Sequence, residues 1–157
     1  MILNISHIAI AVRDMEAALR FYRDVLGLFV SADWVQELKA SVSGEAITGG
    51  RDITRRCVWL RWTEAGGDAP GIALDEMMNS DAYDRRADLF DLGIHHMSFW
   101  VDDIDAIIDR ARDLGFEITK PHTASTADYG EREGGSIRSV FLRDADRNLI
   151  QCDMRVA

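Results

Sequence analysis

Two cysteines are all that 157 residues contain, and Cys57 and Cys152 each sit inside a run that reads as a strand. Two thiols in a chain of this size do not make a disulfide framework, and free cysteine is among the most buried residue types, so both are expected as buried thiols on strands. No apolar run is long enough to cross a bilayer, and Met1-Ile2-Leu3-Asn4 lacks the basic start and small-residue cleavage site of a signal peptide. A cytoplasmic location and no membrane partner are the expectation. A basic stripe is missing too. Lys and Arg number 18 against 27 Asp and Glu, a formal net charge of -9, and the arginines come as short pairs, Arg55-Arg56 and Arg85-Arg86. Nucleic-acid binding needs clustered cations to displace the counterions of the phosphate backbone, so no nucleic-acid partner is expected. The acidic surface favours solubility and draws cationic ligands. The 47% hydrophobic content is enough for a well-buried core.

What is present is an internal repeat. His7-Ile8-Ala9-Ile10-Ala11-Val12-Arg13-Asp14-Met15-Glu16-Ala17 matches His96-Met97-Ser98-Phe99-Trp100-Val101-Asp102-Asp103-Ile104-Asp105-Ala106, and the match continues to Arg23-Asp24 and Arg112-Asp113. Ile8 to Val12 and Met97 to Val101 are short apolar, β-branched or aromatic runs that read as strands. Asp14 and Asp103 follow as helix N-caps. Met15, Ala18, Leu19, Tyr22 and Leu26 then recur at helical steps, as do Ile104, Ile107, Ile108 and Ala111. Gly27 and Gly115 stand where the helices stop.

Extended segments come next. In the second half they run over Glu117 to Pro121, Ser136 to Arg143 and Asn148 to Met154, with Asp144-Ala145-Asp146-Arg147 as the turn between the last two. In the first half they run over Phe29 to Leu38, Arg56 to Trp62 and Gly71 to Met77, with Ser41 to Asp52 as a loop. Asn79 to Asp91 reads as a charged connector, partly helical, with Tyr83, Leu89 and Phe90 as anchors. Neither half has enough strands to bury a core alone, so the halves are expected to pack together or exchange across a dimer.

Three stretches carry a family resemblance. The first strand and helix, with Phe21-Tyr22-Arg23-Asp24-Val25-Leu26-Gly27-Leu28, the second start Gly93-Ile94-His95-His96-Met97-Ser98-Phe99-Trp100-Val101-Asp102-Asp103-Ile104, and the closing Ser139-Val140-Phe141-Leu142-Arg143-Asp144-Ala145-Asp146-Arg147-Asn148-Leu149-Ile150-Gln151 all resemble the vicinal oxygen chelate superfamily. That superfamily contains glyoxalase I, bleomycin-resistance proteins and extradiol dioxygenases. The resemblance implies an α+β fold of two tandem βαβββ modules whose curved sheets enclose a cup that commonly holds a divalent metal. Residues 1–157 are then one domain, with module one at about 1–78, a connector at 79–92 and module two at about 93–157. A homodimer is implied as well.

Two histidines at the same position of two repeated strands face one another across such a cup, which selects His7 and His96 as metal ligands. Either alone is explained as well by a hydrogen bond in the core. Strand alternation turns His95 to the opposite face. The resemblance implies a carboxylate after the isoleucine of each closing strand; here those positions hold Gln151 and, on the alignment of Ile72 with Ile150, Ala73. The surviving set is His7, His96 and Gln151, similar to the two-histidine, one-carboxylate triad of extradiol dioxygenases but with a neutral amide. Asp75 and Asp153 lie two residues on, on the same faces, and read as solvated strand ends that can substitute only if the register shifts.

Extradiol enzymes of the family also carry an acid/base histidine between the two ligands, and no histidine occurs from Ile8 to Ile94. His122 and Tyr129, in the Pro121 to Gly130 loop, are the candidate proton-transfer residues. Arg56, Arg138 and Arg143 are candidates to hold an anionic substrate, with solvent-facing roles as the alternative. Trp59, Phe99, Trp100 and Phe141 line a pocket or fill the core.

The expected function is a metal-dependent enzyme acting on a small oxygenated molecule by bidentate chelation. The lean is to dioxygenase-like chemistry with Fe2+, while Mn2+, Ni2+, Zn2+ and Co2+ remain open. A glyoxalase I-like lyase or epimerase is the first alternative, with Glu76, Asp75 or Asp153 as base. A drug- or ligand-binding protein without chemistry, similar to bleomycin-resistance proteins, is the second. A scaffold with a vestigial cup is the third.

Overall fold

The structure, a computed structural model, describes residues 5–43, 49–64, 70–79, 93–132 and 134–156. The chain forms two compact units, Met1–Asp84 and Arg85–Ala157. The expectations for the connector, including Tyr83, Leu89 and Phe90, lie outside the described residues.

Both units follow one plan. The first runs β1 (His7–Val12), α1 (Met15–Leu19), β2 (Phe29–Leu38), a short α2 (Ala40–Ser43), β3 (Ile53–Arg61) and β4 (Gly71–Met77). The second runs β5 (Met97–Trp100), α3 (Ile104–Asp113), β6 (His122–Ser125), a 3-10 turn over Thr126–Tyr129, β7 (Ser136–Arg143) and β8 (Leu149–Val156). Each makes a four-stranded mixed sheet, ordered β1-β4-β3-β2 or β5-β8-β7-β6. The strand before the helix pairs parallel with the last strand, and the remaining pairs are antiparallel. The α+β pair of βαβββ modules is therefore the observed fold.

The helix ends follow the local chemistry. Asp14 Oδ1 accepts from Ala17 N and Asp103 Oδ1 from Ala106 N, both at 2.9 Å, so each aspartate satisfies an amide the helix leaves free. Gly27 and Gly115 take φ of 78° and 77°, where a Cβ is disfavoured. One expectation is corrected between them. The first helix is not uniform to Leu26: from Arg20 to Val25 it widens into a π-helix, with Leu26 N donating to Phe21 O at 3.1 Å. The wider turn brings Phe21 and Val25 into the buried stripe with Met15, Ala18, Leu19 and Tyr22, and leaves Leu26 only half-buried.

A second correction concerns the second module. The segment from Glu117 to Pro121 is not the module's second strand; that strand, β6, is His122–Ser125, where a loop was expected. Glu117 to Thr119 does run beside β7, through Thr119 N to Phe141 O (2.8 Å), Arg143 N to Glu117 O (3.0 Å) and a bridge of Ile118 to Leu142. From Ile118 to His122 is one residue more than from Leu142 back to Ser139, so the chain bulges at Lys120-Pro121 before the regular ladder begins. In the first module, β3 starts at Ile53 and ends at Arg61, and a short helix, Ala40–Ser43, takes in the start of the expected loop.

Alternation then sorts each sheet into two sides. α1 packs on β4, and α3 on β7 and β8. The helix-facing sides hold the buried Val58, Leu60, Ile72 and Leu74 in one unit and Val140, Leu142, Ile150 and Cys152 in the other. Arg56 and Arg138 share this side at matching positions. Arg56 pairs with Glu16 and Asp33 at 2.7 Å, and Arg138 makes a two-pronged pair with Asp105 at 2.6 Å, each reaching the first turn of its module's helix. These arginines clip helix to sheet. Arg56 and Arg138 thus face away from the sides that carry the candidate ligands, whereas Arg143, with the parity of Ser139 and Phe141, stands on the candidate-ligand side at the sheet's end, where it donates to Arg147 O and approaches Glu117.

Candidate functional site

The strand pairing settles the alignment of the two modules. Ala9 pairs with Ala73 as Ser98 pairs with Gln151, and Trp59 pairs with Ala73 as Phe141 pairs with Gln151. Ala73 and Gln151 are thus equivalent, and so are Asp75 and Asp153, which pair with Cys57 and Ser139. These residues lie on the sides opposite the helices. One step before Met97, His96 precedes Ser98 by two residues as His7 precedes Ala9.

In the second module this open side is a polar network within an apolar frame. Asp153 is buried, 1% exposed, and its Oδ1 accepts from Ser139 Oγ (2.5 Å), Tyr129 Oη (2.8 Å) and Gln151 Nε2 (2.8 Å), while Oδ2 accepts from Ser98 Oγ. Burial pushes this carboxyl up, but the hydrogen bonds from Ser139, Ser98, Gln151 and Tyr129 outweigh it and hold it below the usual carboxylate range. The reading of Asp153 and Asp75 as solvated strand ends is therefore overturned; Asp75 is itself only 8% exposed. Their strands are flanked by partners on both sides, which keeps water off the middle of the sheet.

Gln151 takes its orientation from this carboxylate. Its Nε2 donates to Asp153 Oδ1 and, at 2.7 Å, to Tyr129 Oη. An ionised carboxylate only accepts, so the nitrogen must be the atom beside it and the carbonyl oxygen must point the other way. That Oε1 makes no hydrogen bond among the described residues, and no buried polar side-chain atom there lacks a partner, so Oε1 reaches solvent.

The rings of the same side converge on Phe141. The His96 ring stands edge-on at 6.0 Å from it, and the His122 ring stacks on it at 5.9 Å and 7°. His96, His122, Tyr129 and Gln151 thus share one side of one sheet. Tyr129 is not poised as a base, since burial, together with Asp153, pushes its hydroxyl up. It packs on Trp100, which lies beneath the Arg155 guanidinium at 4.5 Å. His95 does not turn away: its Nδ1 lies 2.8 Å from His96 Nδ1, because this pair precedes the regular strand and alternation does not yet apply. One of the two nitrogens donates, and when it is His96 Nδ1, His96 Nε2 keeps a free lone pair.

In the first module the same side is built from other groups. His7 accepts or donates at Nδ1 with Ser6 Oγ (3.0 Å) and its ring lies 4.9 Å from Trp59. Ala73 offers no donor atom. Asp75 Oδ2 is paired with Arg55 at 2.9 Å, and Arg55 also donates to Gln36 Oε1 through Nε (3.1 Å) and a terminal nitrogen (2.8 Å). Cys57 lies in this cluster, and burial, with Asp75, pushes its thiol up to about 12. Arg55, Gln36, Ser98 and Ser139 were missed from the sequence. The signal for them was their parity: Arg55 stands two residues before Cys57 on β3 and pairs with Gln36 on β2, while Ser98 pairs with Gln151 and Ser139 with Asp153.

Among the described residues no group of three or more His, Cys, Asp and Glu is gathered to hold a metal. Within the second module the donors suited to one are His96 Nε2 and the outward Gln151 Oε1, and in the first module His7 stands at the register equivalent to His96. Imidazole nitrogens and neutral carbonyl oxygens are borderline ligands of the kind first-row divalent ions accept.

Paired βαβββ modules with this strand order define a fold class, and the sequence matches a family within it. The profile of the Glyoxalase/Bleomycin resistance protein/Dioxygenase superfamily matches residues 4–152. The chain belongs to that superfamily. Among solved structures, a glyoxalase family protein from Bacillus cereus is 19% identical with a TM-score of 0.76, over 100% of this chain and 97% of that one. The fosfomycin resistance protein FosX from Listeria monocytogenes is 17% identical with a TM-score of 0.58, over 98% and 94%. The trypanothione-dependent glyoxalase I of Leishmania major is 17% identical with a TM-score of 0.60, over 96% and 85%. No curated protein matches.

Proposed function

We propose that the protein is a divalent-metal-dependent enzyme that acts on a small oxygenated molecule through bidentate chelation, with His7, His96 and Gln151 as the metal ligands. The observation that carries this reading is the fixed outward carbonyl of Gln151 on the side that also bears His96. When bound, the ion supplies Lewis-acid polarisation of the substrate oxygens. The chain's own residues do the rest. Phe141 fixes the planes of His96 and His122, and His122, stacked on it and exposed, is the residue free to move a proton. Tyr129 keeps its proton and holds Gln151 and Asp153 rather than acting as a base.

Ring cleavage of a catechol-like substrate with Fe2+ remains the first reaction to test. Lyase or epimerase chemistry is the next, and it is weakened by the absence of an unengaged base at Asp75 or Asp153, both of which are committed to internal partners. Mn2+ belongs in the first screen, since FosX of Listeria monocytogenes has been solved with Mn(II) and sulfate. No helix among the described residues is long and apolar enough to cross a membrane. A homodimer is part of the reading, supported by the edge strand β2, which exposes Phe29, Val30, Trp34 and Val35.

A second reading, a ligand-sequestering protein, draws on the rings of the open sides: Trp59 beneath Arg61 at 5.5 Å in one module, and Trp100 beneath Arg155 in the other. Metal analysis of anaerobically purified protein, with Fe2+, Mn2+, Ni2+, Zn2+ or Co2+ added, separates the two. About one ion per chain, lost in His96→Ala and His7→Ala, is the expected outcome. Stoichiometric metal in the double variant overturns the ligand set, and a protein that takes up no ion favours sequestration.

A further inference from the structure

The unexplained feature of the second module is a buried carboxylate with no cation. Asp153 is 1% exposed, its four partners are Ser98, Ser139, Tyr129 and Gln151, and no Lys or Arg pairs with it among the described residues. All four are neutral. A carboxylate at such depth is costly unless cations or hydrogen bonds offset its burial, and here four neutral donors alone surround it. Its equivalent in the first module, Asp75, is neutralised by Arg55. The atom that Asp153 does reach is the Gln151 amide, whose other end is the outward carbonyl.

Resting on the metal reading above, we propose that Asp153 is a positioning residue that restores to the site the negative charge which Gln151 lacks. The charge sits one hydrogen bond behind the ligand instead of on it. The N–H of Gln151 pointing at a carboxylate polarises the amide, so that its oxygen binds a cation more strongly than an isolated amide does. The second module's donors then carry the charge of a neutral imidazole and one carboxylate. The same arrangement explains why a glutamate does not stand in place of Gln151. With Asp153 present, the change Gln151→Glu alone would bring a second carboxylate to within hydrogen-bond distance of the first, where only a proton could keep them together.

The geometry allows charge and orientation to be tested separately. The substitution Asp153→Asn keeps an acceptor oxygen for Ser139, Tyr129 and Gln151, and the new amide nitrogen faces only Ser98, whose hydroxyl can turn to accept. It therefore removes the charge and retains the network. Gln151→Glu with Asp153→Asn reverses the pair, moving the charge onto the ligand without changing its total.

The experiment is Mn2+ titration, followed by electron paramagnetic resonance of the free ion, on the wild type, Asp153→Asn, Tyr129→Phe and the swapped double variant, each with its thermal midpoint. The expected pattern is about a tenfold or larger loss of affinity in Asp153→Asn, in the range seen for ligand-supporting partners. Tyr129→Phe, which keeps the charge, stays within about threefold of wild type. The swapped variant returns to within about fivefold of wild type. Asp153→Asn binding as wild type does, or Tyr129→Phe losing as much as Asp153→Asn, overturns the inference and leaves the metal reading intact. So does a swapped variant that binds about a hundredfold tighter than wild type, because the ligand's own charge would then be all that matters; this arm stands even if Asp153→Asn fails to fold. A wild type that takes up no Mn2+ or other divalent ion removes the metal reading and the inference together.

Discussion

Asp75 and Asp153 occupy the same place in two sheets of the same topology, and their surroundings are opposite. Asp75 leans on Arg55, which Gln36 holds from its other edge. Asp153 leans on two serines, a tyrosine and an amide. The exchange of Arg55 for Ile137 and Cys57 for Ser139 at matched positions changes a closed ion pair into an uncompensated charge. The exchange of Ala73 for Gln151 adds the group through which that charge is felt. A duplicated fold thus divides its labour: one open side is neutral and self-contained, the other polar and directed outward.

The largest effect that breaks this contrast is expected from Asp153→Ala. It strands Gln151 Nε2 and the hydroxyls of Ser98, Ser139 and Tyr129 in a site that water does not fill. At about 1–3 kcal/mol for each buried group left unsatisfied, and with partial re-pairing among them, a loss of about 3 kcal/mol is expected in urea unfolding. Asp153→Asn should lose less than half of that; an equal loss in the two variants would mean that packing and not hydrogen bonding sets the value.

Arg55→Ala comes next. It leaves Asp75 mostly buried and unpaired, and about 2–3 kcal/mol is expected because the pair keeps some solvent contact. Arg55→Met with Asp75→Leu removes both charges and should come back to within about 1 kcal/mol of wild type, since a well-packed apolar pair can replace a buried ion pair. That double change also sharpens the comparison: if Asp75 serves only its own module, metal affinity measured on the double variant is unaltered.

Smaller again are the helix-side arginines. Arg56→Ala removes contacts to both Glu16 and Asp33, whereas Arg138→Ala removes one exposed partner, Asp105. Thermal unfolding should fall measurably for the first and scarcely for the second, as solvent-exposed pairs contribute little.

Much of this was legible in the sequence, and the limits are physical. The repeat and its caps were readable because Asp14, Asp103, Gly27 and Gly115 act on the backbone within a few residues of themselves. The alignment of Ala73 with Gln151 followed from the same repeat, although the hairpin from Arg61 to Ile72 is longer than that from Arg143 to Ile150. The π-helical stretch was not readable, because Phe21 and Val25 join the stripe only when the turn widens, and the 3.6-residue period assigns that place to Leu26. The strand at His122 was hidden by Pro121, which suggests a break where the structure has a bulge. The network escaped for a different reason: an aspartate near a strand end looks solvated until the neighbouring strands are known, and Ser98, Ser139 and Tyr129 come from three separate elements. Arg56 and Arg138 looked like anion holders, but parity alone, once the register is fixed, puts them on the side facing away from the candidate ligands; Arg143 keeps the side of Phe141 and Gln151, where Arg147 O and Glu117 engage it.

The smallest expected effect concerns the two thiols, which are both buried, on opposite sides of their sheets. Cys57 stands on the open side beside Gln36 and Asp75, while Cys152 stands on the side that carries α3. Burial pushes both up to about 12, so at pH 8 only about one molecule in ten thousand carries either as thiolate. Neither should react with a disulfide reagent in the native state on the timescale of minutes, and both should react once guanidinium unfolds the chain. At intermediate denaturant Cys57 is expected to label first, because exposing it requires only that the open side of β3 loosen. Reaching Cys152 requires that α3 lift from β7 and β8, an opening that takes the core of the second module with it. Mass spectrometry of peptides after pulsed labelling reads the order. Cys152 labelling first would mean that the second module, despite its satisfied network, is the less stable of the two, and that the charge held at Asp153 costs the fold more than its four hydrogen bonds return.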